Sequence, residues 1–396
     1  MTLAIIKTKK NGIYETEVKT FSTMMNGIET AMRWLLDHDC HVVVMESTGK
    51  YWIPVFNLME DSFALTLANP YYTKTFPGNK TDRRDAKWLA ELHRLGLVQP
   101  SFIPPKHIRE LRDLTRYRHK LVRARSSEKS RIHNILTVCN LMLSSVATDI
   151  FGKSGMNIMK ALLQLKSLDE DLLSDLVLGK LREKIPQLLV ALKGQLTSTQ
   201  ADKLSIALDN LKNFDEKIAQ IERLIEEKSK PLQDSIKILC SCFAIKKISA
   251  ISILSEIGTD MSYFPSAGHL CSWAGVCPQN NETGGKRRSA KTKKGNRYLK
   301  AILTQCVNFF SRSKKTSRLV SRFHSLKIRR GHNKAVMAVC RSLLIAVYHM
   351  LSKGETFKEM SEPTISKEKS YTFTKVSDDL LIQELVKRGY KLEVAT

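Results

Sequence analysis

An N-terminal α/β domain followed by mostly helical regions is the fold class that the sequence predicts. Residues 1–100 alternate short apolar runs with amphipathic stretches, as strands and helices do in turn. Residues 107–227 repeat apolar side chains at near-helical spacing, and residues 236–354 contain further apolar helices. At 396 residues the chain is long enough for two or three domains with cores of their own.

The α/β domain is predicted to begin with a hairpin. The runs LAIIKT and YETEVKTF flank Asn11-Gly12, a dipeptide typical of two-residue turns between antiparallel strands. The pattern then predicts, in order, a helix over 26–38, a strand over 41–45, a helix over about 52–60 and a strand over 63–68. After the loop PYYTKTFPGNK, a helix over 82–95 ends at Gly96.

Two long helical arms are predicted in the second region. The segment PSFIPP (100–105) separates it from the first, because adjacent prolines cannot continue a helix. The first arm has an apolar stripe near heptad spacing, and nine Lys and Arg lie in 109–131 against three acids. A second arm over about 200–230 has similar spacing. Such arms indicate either an antiparallel helical hairpin or a coiled coil between subunits; residues 140–195 have no clear pattern.

The third region is predicted to contain three helices. ISAISILSEIG is a short amphipathic one, KKGNRYLKAILTQCVNFF is another, and residues 334–351 form an apolar one. The polar tail has one short predicted helix at 377–388. These patterns divide the chain into residues 1–105 (α/β), 106–235 (helical), 236–354 (basic C-terminal domain) and 355–396 (tail).

The net charge of +25 is concentrated in one stretch. Residues 283–354 contain nineteen Lys and Arg and no Asp or Glu, so nineteen of the twenty-five surplus charges lie in 72 residues. This concentration favours a surface that binds a polyanion over a merely solvated basic face. We expect no membrane association, since no apolar run approaches about 18 residues. Cysteines without a CxxC pair and the lack of a signal-peptide pattern indicate the cytoplasm.

Three carboxylates are candidates for a metal site. Glu46 ends the apolar run HVVVME, where α/β sheets place ligand groups. Asp82 and Asp85 are three residues apart on a helix face that continues through Leu89 and Leu92, which predicts that both face the interior. Buried acids need a positive partner, and carboxylate oxygens are the ligands of Mg²⁺. The alternative is that they are structural acids, with Asp82 favouring the helix N-terminus.

Several motifs resemble one known family. ESTG (46–49), NKTDRRDA (79–86), SEIG (255–258) and the stretch from AGHLC (267–271) to KAIL (300–303) are similar to the IS110 (insertion-sequence one-ten) family of DEDD transposases, relatives of the Piv invertase. The resemblance implies an RNase H-like (RuvC-like) domain, a coiled coil and a C-terminal transposase domain. It also implies a DNA recombinase that uses Mg²⁺, is directed by a structured bridge RNA, and works as a dimer or tetramer on the nucleoid.

The resemblance assigns roles to individual residues. Glu46, Asp82 and Asp85 match the second, third and fourth acids, which bind the metal and assist catalysis. Thr283 occupies the position of the family's nucleophilic serine, and Ser289 is a weaker candidate. The basic residues expected to contact nucleic acid are Lys286, Arg287, Arg288, Lys291, Lys293, Lys294, Arg297 and Lys300. The helix that begins near Asn296 is also expected to present free N–H groups to a phosphate beside Arg297 and Lys300.

Three departures from the family pattern predict a degenerate or N-terminally truncated copy. The family's first strand with its Asp has no counterpart, so the RNase H-like sheet is expected to lack its first strand. Thr283 is bulkier than serine and has fewer rotamers. Residues 243–246, Phe-Ala-Ile-Lys, replace a glycine-containing hairpin. The alternatives to a transposase are therefore a RuvC-like hydrolytic nuclease, in which water attacks, and a catalytically impaired nucleic-acid-binding remnant.

Overall fold

The computed structural model describes residues 1–8, 14–47, 49–69, 81–165, 168–279, 281–289, 291–313 and 317–359. The chain divides into two compact units. Unit 1 comprises residues 1–237 with 246–265, and unit 2 comprises residues 238–245 with the chain from 266 onwards. The division of the sequence into four segments stays a prediction.

The N-terminal part of unit 1 mixes strands and helices as predicted. Strands β1 (Thr2–Thr8) and β2 (Tyr14–Thr20) pair antiparallel, with Thr2 opposite Thr20. Their predicted turn at Asn11-Gly12 lies outside the described residues. The next elements are α1 (Met25–Asp37), β3 (Val42–Glu46), α2 (Trp52–Met59), β4 (Ala64–Ala68) and α3 (Asp82–Arg94). Each lies within about two residues of its prediction, so the local pattern of the sequence was sufficient here.

The strands of this part form two pairs. β3 and β4 are parallel, with Val42 opposite Ala64, and in the described residues no hydrogen-bonded ladder joins them to β1 and β2. Both pairs contribute to one apolar core. Its buried members come from β1, from α1, from the end of α2 and from the residues directly after β2 and before β4: Ile5, Phe21, Ile28, Ala31, Trp34, Leu35, Met59 and Phe63. The chain thus has the mixed α/β character that was expected. The RNase H-like sheet without its first strand stays a prediction.

Two long helices form the centre of unit 1. They are α4 (Lys106–Val138) and α9 (Ser198–Lys228), of 33 and 31 residues. Ion pairs join Glu110 to Lys228, Arg118 to Glu222 and Arg125 to Asp215. Residue numbers along α9 therefore decrease as those along α4 increase. The two helices are therefore antiparallel within one chain, which is the predicted antiparallel helical hairpin. A coiled coil between subunits stays a prediction.

Residues 140–195, which the sequence left unassigned, fold into short helices. These are α5 (Leu143–Val146), α6 (Lys153–Gln164), α7 (Glu170–Leu176) and α8 (Ile185–Ala191), with a 3₁₀ turn over Gly179–Lys184. Their buried leucines and isoleucines share a core with the C-terminal half of α4 and the N-terminal half of α9. Three of these helices have only four to seven residues, which is too short to give a clear periodic signal. Helix α6, with twelve residues, was long enough to be predicted and was missed.

Helix α10 (Gln233–Cys240) is followed by α11 (Lys247–Ile257), and residues 247–257 belong to unit 1. The sequence predicted a short amphipathic helix here. The helix is confirmed, but its predicted amphipathic character is wrong. All eight residues from Ala250 to Ile257 are buried, including Ser252, Ser255 and Glu256. The polar residues look exposed in a helical projection, but they bond to partners from α4 or to α11 itself.

Unit 2 contains α12 (Ala267–Ala274), β5 (Asn281–Thr283), β6 (Lys286–Ser289), α13 (Arg297–Asn308), α14 (Arg318–Arg330) and α15 (His332–Lys353). In the described part of the chain, α15 is the one helix long and apolar enough to span a bilayer by length and composition. It packs against α12, α13 and α14, and eight of its residues are buried. These contacts are those of a core helix. The predicted tail helix at 377–388 lies outside the described residues.

Candidate functional site

Glu46 is the last residue of β3. It lies opposite Ala68 in the parallel pair, and the next residue, Ser47, donates its backbone N–H to the Ala68 carbonyl at 3.0 Å. The side chain is half-buried. This is the carboxyl end of a parallel strand pair, the position at which α/β sheets bind ligands. Glu46 therefore lies at the edge where the sequence placed it.

Asp82 and Asp85 lie in the first turn of α3. The Thr81 side chain caps this helix by accepting the Arg84 N–H at 3.3 Å. Both aspartates are exposed, whereas Leu89 is half-buried and Leu92 is buried. The prediction that both acids face the interior is therefore wrong in this single chain. Burial increases along α3 towards its C-terminal half, because the apolar residues are there and the first four residues are all charged.

The three carboxylates suit Mg²⁺ chemically, since it prefers carboxylate oxygen. Their geometry does not yet form a complete site. Among the described residues, which omit Thr48 and the chain from 70 to 80, no group of three His, Cys, Asp or Glu side chains is placed to hold a metal ion. The helix dipole does favour the two aspartates at the N-terminus of α3. The metal role of Glu46, Asp82 and Asp85 stays a prediction.

Thr283 lies at the tip of a β-hairpin in unit 2. It ends β5 and pairs with Lys286, the first residue of β6. Between them, Gly284 and Gly285 have φ angles of 58° and 72°. Positive φ at both central residues is the requirement of a type I′ turn, which joins twisted strands most tightly. The motif TGG therefore fixes the backbone of Thr283 directly beside a tight turn, and Ser289 lies at the far end of β6, opposite Asn281.

The hairpin continues beyond its two short strands. Gln279 donates its N–H to the Lys291 carbonyl at 2.9 Å, and Pro278 and Thr292 form a further antiparallel bridge. We call residues 277–279, 281–289 and 291–293 the basic ribbon, because its second strand and return segment contain Lys286, Arg287, Arg288, Lys291 and Lys293. A two-stranded antiparallel ribbon is narrow enough to enter the major groove of a duplex.

Two glycines hold the end of the basic ribbon against α12. Gly275 follows α12 in a left-handed conformation (φ 74°), and Gly295 packs directly on it. A Cβ added at Gly295 would lie 2.4 Å from the Gly275 nitrogen and 2.5 Å from the Ala274 carbonyl carbon. No side chain fits there. This contact fixes the position of Lys293 and Lys294, and sequence analysis did not identify it.

The N-terminus of α13 is already capped. The sequence suggested that its free N–H groups could bind a phosphate beside Arg297 and Lys300. In the structure, the Asn296 side-chain oxygen accepts the N–H groups of Tyr298 at 3.0 Å and Leu299 at 3.1 Å. That prediction is wrong for these two groups, because asparagine is among the preferred capping residues and satisfies them itself. Lys300 donates from Nζ to Thr292 Oγ1 at 3.2 Å and so braces the ribbon.

Most arginines of α4 are used inside unit 1. Arg116 donates from Nε and Nη2 to the two Glu256 carboxylate oxygens at 2.7 and 2.8 Å, and Arg112 donates to the Ser255 and Glu256 carbonyls. Arg109 binds Glu60 at 2.6 Å and Asn57 at 2.9 Å. These cations tie α4 to α11 and α2. The density of basic residues on this helix is therefore mainly structural, which counting charges could not show.

Comparison with known proteins agrees with the motifs at these positions. A transposase family model of the DEDD type, defined on IS110, matches residues 3–140, and a model described as the transposase IS116/IS110/IS902 family matches residues 236–323. The chain belongs to this transposase family. A probable family 20 transposase from Pseudomonas aeruginosa is 25% identical over 327 residues, which cover 80% of this chain and 86% of that protein.

The two family matches contain every residue that the motifs singled out. The first includes Glu46, Asp82, Asp85 and all of α4, and the second includes Thr283 and the basic ribbon. The second match ends at residue 323, inside α14. Within the matched residues, sequence analysis did not predict the contacts that hold the structure around the motifs. These are the Gly275–Gly295 contact, the Asn296 cap and the Arg116–Glu256 pair. The SEIG motif was a usable signal for the last of these.

Proposed function

We propose that this protein is the DNA transposase, or site-specific recombinase, of an insertion sequence. The observation that supports it best is the ordered occurrence of the two transposase matches, residues 3–140 with the acids and 236–323 with the basic ribbon. The absence of Asp and Glu from residues 283–354 suits repeated contact with phosphates.

The acids are proposed to act together in the assembled complex. Glu46, Asp82 and Asp85 would hold Mg²⁺, which supplies Lewis acidity towards a phosphate oxygen. Mg²⁺ commonly binds one or two carboxylates and completes its shell with water and substrate phosphates. Exposed aspartates on a helix N-terminus are accessible to such a substrate. The nucleic acid itself is then part of the metal site.

Thr283 is proposed as the nucleophile. Its hydroxyl oxygen would form a bond to the phosphorus of the DNA backbone while the bond from phosphorus to a sugar oxygen breaks. The hydroxyl proton passes to the released sugar oxygen, so the exchange of one phosphodiester for another needs no further reactant. The type I′ turn beside Thr283 supports this role, since a tight turn presents its flanking residues at the tip of a protrusion. Lys286, Arg287 and Arg288 on β6 would neutralise neighbouring phosphates.

The remaining proposals concern partners. A structured guide RNA and a homo-oligomer, either a dimer or a tetramer, follow from the family resemblance, as does a nucleoid-associated location in the cytoplasm. The same holds for the division into RuvC-like, coiled-coil and transposase domains (1–105, 106–235 and 236–354) with a tail (355–396). The long antiparallel pair α4–α9 would be the coiled-coil part.

The test is the formation of a covalent protein–DNA adduct. Full-length protein is incubated with the DNA ends and RNA of its element and with Mg²⁺, and adducts are resolved on denaturing gels. We expect adducts with the parent, none with Asp82→Ala or Thr283→Val, and adducts again with Thr283→Ser. Asp202→Ala, which removes an exposed aspartate from α9, is the matched control and should leave adducts unchanged. No adduct from the parent on correct substrates would contradict active transposition.

The same experiment separates the alternatives. Cleavage that persists in Thr283→Val without an adduct indicates a RuvC-like hydrolytic nuclease. Salt-sensitive binding without any cleavage indicates a nucleic-acid-binding remnant. Asp82 and Asp85 are exposed, and among the described residues no three His, Cys, Asp or Glu side chains are placed to hold a metal ion; this favours the remnant over the nuclease.

A further inference from the structure

The helices α14 and α15 meet at a corner that lies outside the family matches. Gly331 is the single residue between them and has a φ of 81°, which favours glycine. We call residues 327–334 the basic corner. It contains four basic side chains, all exposed: Lys327, Arg329, Arg330 and Lys334. No described acidic residue forms an ion pair with any of them.

Ile328 lies in the middle of these cations and is 87% exposed. The buried residues of α14 are Val320 and Phe323, three positions apart. Ile328 is five positions after Phe323, or about 140° around the helix from it. Core packing therefore does not explain an isoleucine at this position. A solvent-exposed β-branched side chain is also a poor helix former.

The corner is held firmly on its inner side. Phe323 is fully buried and contacts the His332 ring edge-on, with centroids 5.7 Å apart. It also contacts Phe310, which is buried too. The Phe323–His332 contact joins α14 to the first residue of α15 on the inner side of the corner. Ile328 and the surrounding cations lie on its exposed side.

We propose that the basic corner binds the sugar–phosphate backbone of duplex DNA and that Ile328 is an apolar wedge in its groove. This inference rests on the proposed function. Proteins that bend duplexes combine Arg or Lys on the phosphates with Ile, Leu or Phe against sugars and bases. A second copy of the chain would place four cations against four and be repelled. A polyanion with an apolar groove matches both the charge and the exposed isoleucine.

The test measures binding of full-length protein to a labelled 30-bp DNA duplex by fluorescence anisotropy at several salt concentrations. Ile328→Ala should weaken binding about five- to thirtyfold, which corresponds to about 1–2 kcal/mol of lost apolar burial, and leave the salt dependence unchanged. Ile328→Leu should restore affinity. The double variant Lys327→Ala/Arg330→Ala should instead reduce the slope of log K against log salt by about 1.8. Ile206→Ala, at another exposed isoleucine on α9, is the matched control.

The outcomes are decisive because Ile328 is exposed and its replacement does not disturb a core. Wild-type affinity in Ile328→Ala overturns the wedge, and so does a change of oligomeric state in that variant, which would assign the corner to a second copy. Parent protein that binds no duplex overturns both this inference and the proposed function. Parent protein that binds duplex and forms adducts, with corner variants that bind equally well, overturns this inference alone.

Discussion

Glu256 is the residue whose replacement tests the architecture of unit 1 most directly. It is 1% exposed, accepts both donors of the Arg116 fork and lies 3.5 Å from Arg112 Nε. Glu256→Gln keeps the shape of the side chain and removes its charge. Two arginines are then left beside a neutral group in a largely desolvated place.

The expected loss of unfolding free energy is about 2–3 kcal/mol. Removing one partner of a buried pair costs about 3–5 kcal/mol. The effect here is smaller because Arg116 is 32% exposed and can be rehydrated. Arg112, whose pKa burial lowers to about 10, still donates to the Ser255 and Glu256 carbonyls. The matched control is Glu222→Gln, which breaks the Arg118 pair where the glutamate is 41% exposed, and exposed pairs contribute at most about 1 kcal/mol.

The assay is urea unfolding followed by circular dichroism at 222 nm, to which the long helices α4 and α9 contribute strongly. Hydrogen exchange of the α11 amides shows whether the loss is local. Exchange should accelerate in α11 in Glu256→Gln and not in Glu222→Gln. Equal losses in the two variants, or a loss below about 1 kcal/mol in Glu256→Gln, would refute the conclusion that this pair holds α11 on α4.

Two further predictions concern unit 2. Burial raises the pKa of the Cys271 and Cys340 thiols to about 12, whereas both ionise near 9 when unfolded. Above pH 9 the unfolded state therefore binds fewer protons than the folded one, and the unfolding free energy should fall as pH rises from 9 towards 12, by up to about 1.4 kcal/mol per pH unit for each thiol. Urea unfolding followed by tryptophan fluorescence at pH 8, 9 and 10 measures this, and a double Cys→Ala variant with the same pH dependence would contradict it. Gly295→Ala should lower stability by about 1–3 kcal/mol because its Cβ collides with the Gly275 turn, and it should weaken duplex binding. Gly268→Ala in α12, whose nearest neighbour would be Ser266 Oγ at 3.4 Å, is the control and should be neutral or stabilising.

The sequence predicted elements better than it predicted which side chains are exposed. Strands β1 to β4 and helices α1 to α3 could be predicted because the periodic spacing of their apolar residues is visible within a short stretch of sequence. The burial of Glu256 depends on Arg116, which is 140 residues away in the chain. No local pattern carries that information. The buried polar face of α11 was therefore missed, although the SEIG motif marked its position.

The candidate site shows the same difference. The position of Glu46 at a strand end and of Thr283 beside a glycine turn could be predicted, because strand and turn signals are local. The orientation of Asp82 and Asp85 could not. Extending the apolar face of α3 backwards from Leu92 assumed that the neighbouring structure covers the whole helix, whereas it covers only the later turns.

Because these aspartates are exposed, we predict that the metal ion and the nucleic acid bind cooperatively. If Mg²⁺ requires substrate phosphates to complete its shell, metal and nucleic acid should bind cooperatively, and each should raise the affinity of the other by the same factor. We expect Mn²⁺, followed by its electron paramagnetic resonance signal, to bind weakly to the protein alone and at least about fivefold more tightly with duplex present. Asp82→Asn should remove the increase, whereas Asp202→Asn should not. Tight Mn²⁺ binding without nucleic acid would mean that the carboxylates gather by themselves, and the dependence on substrate would then be wrong.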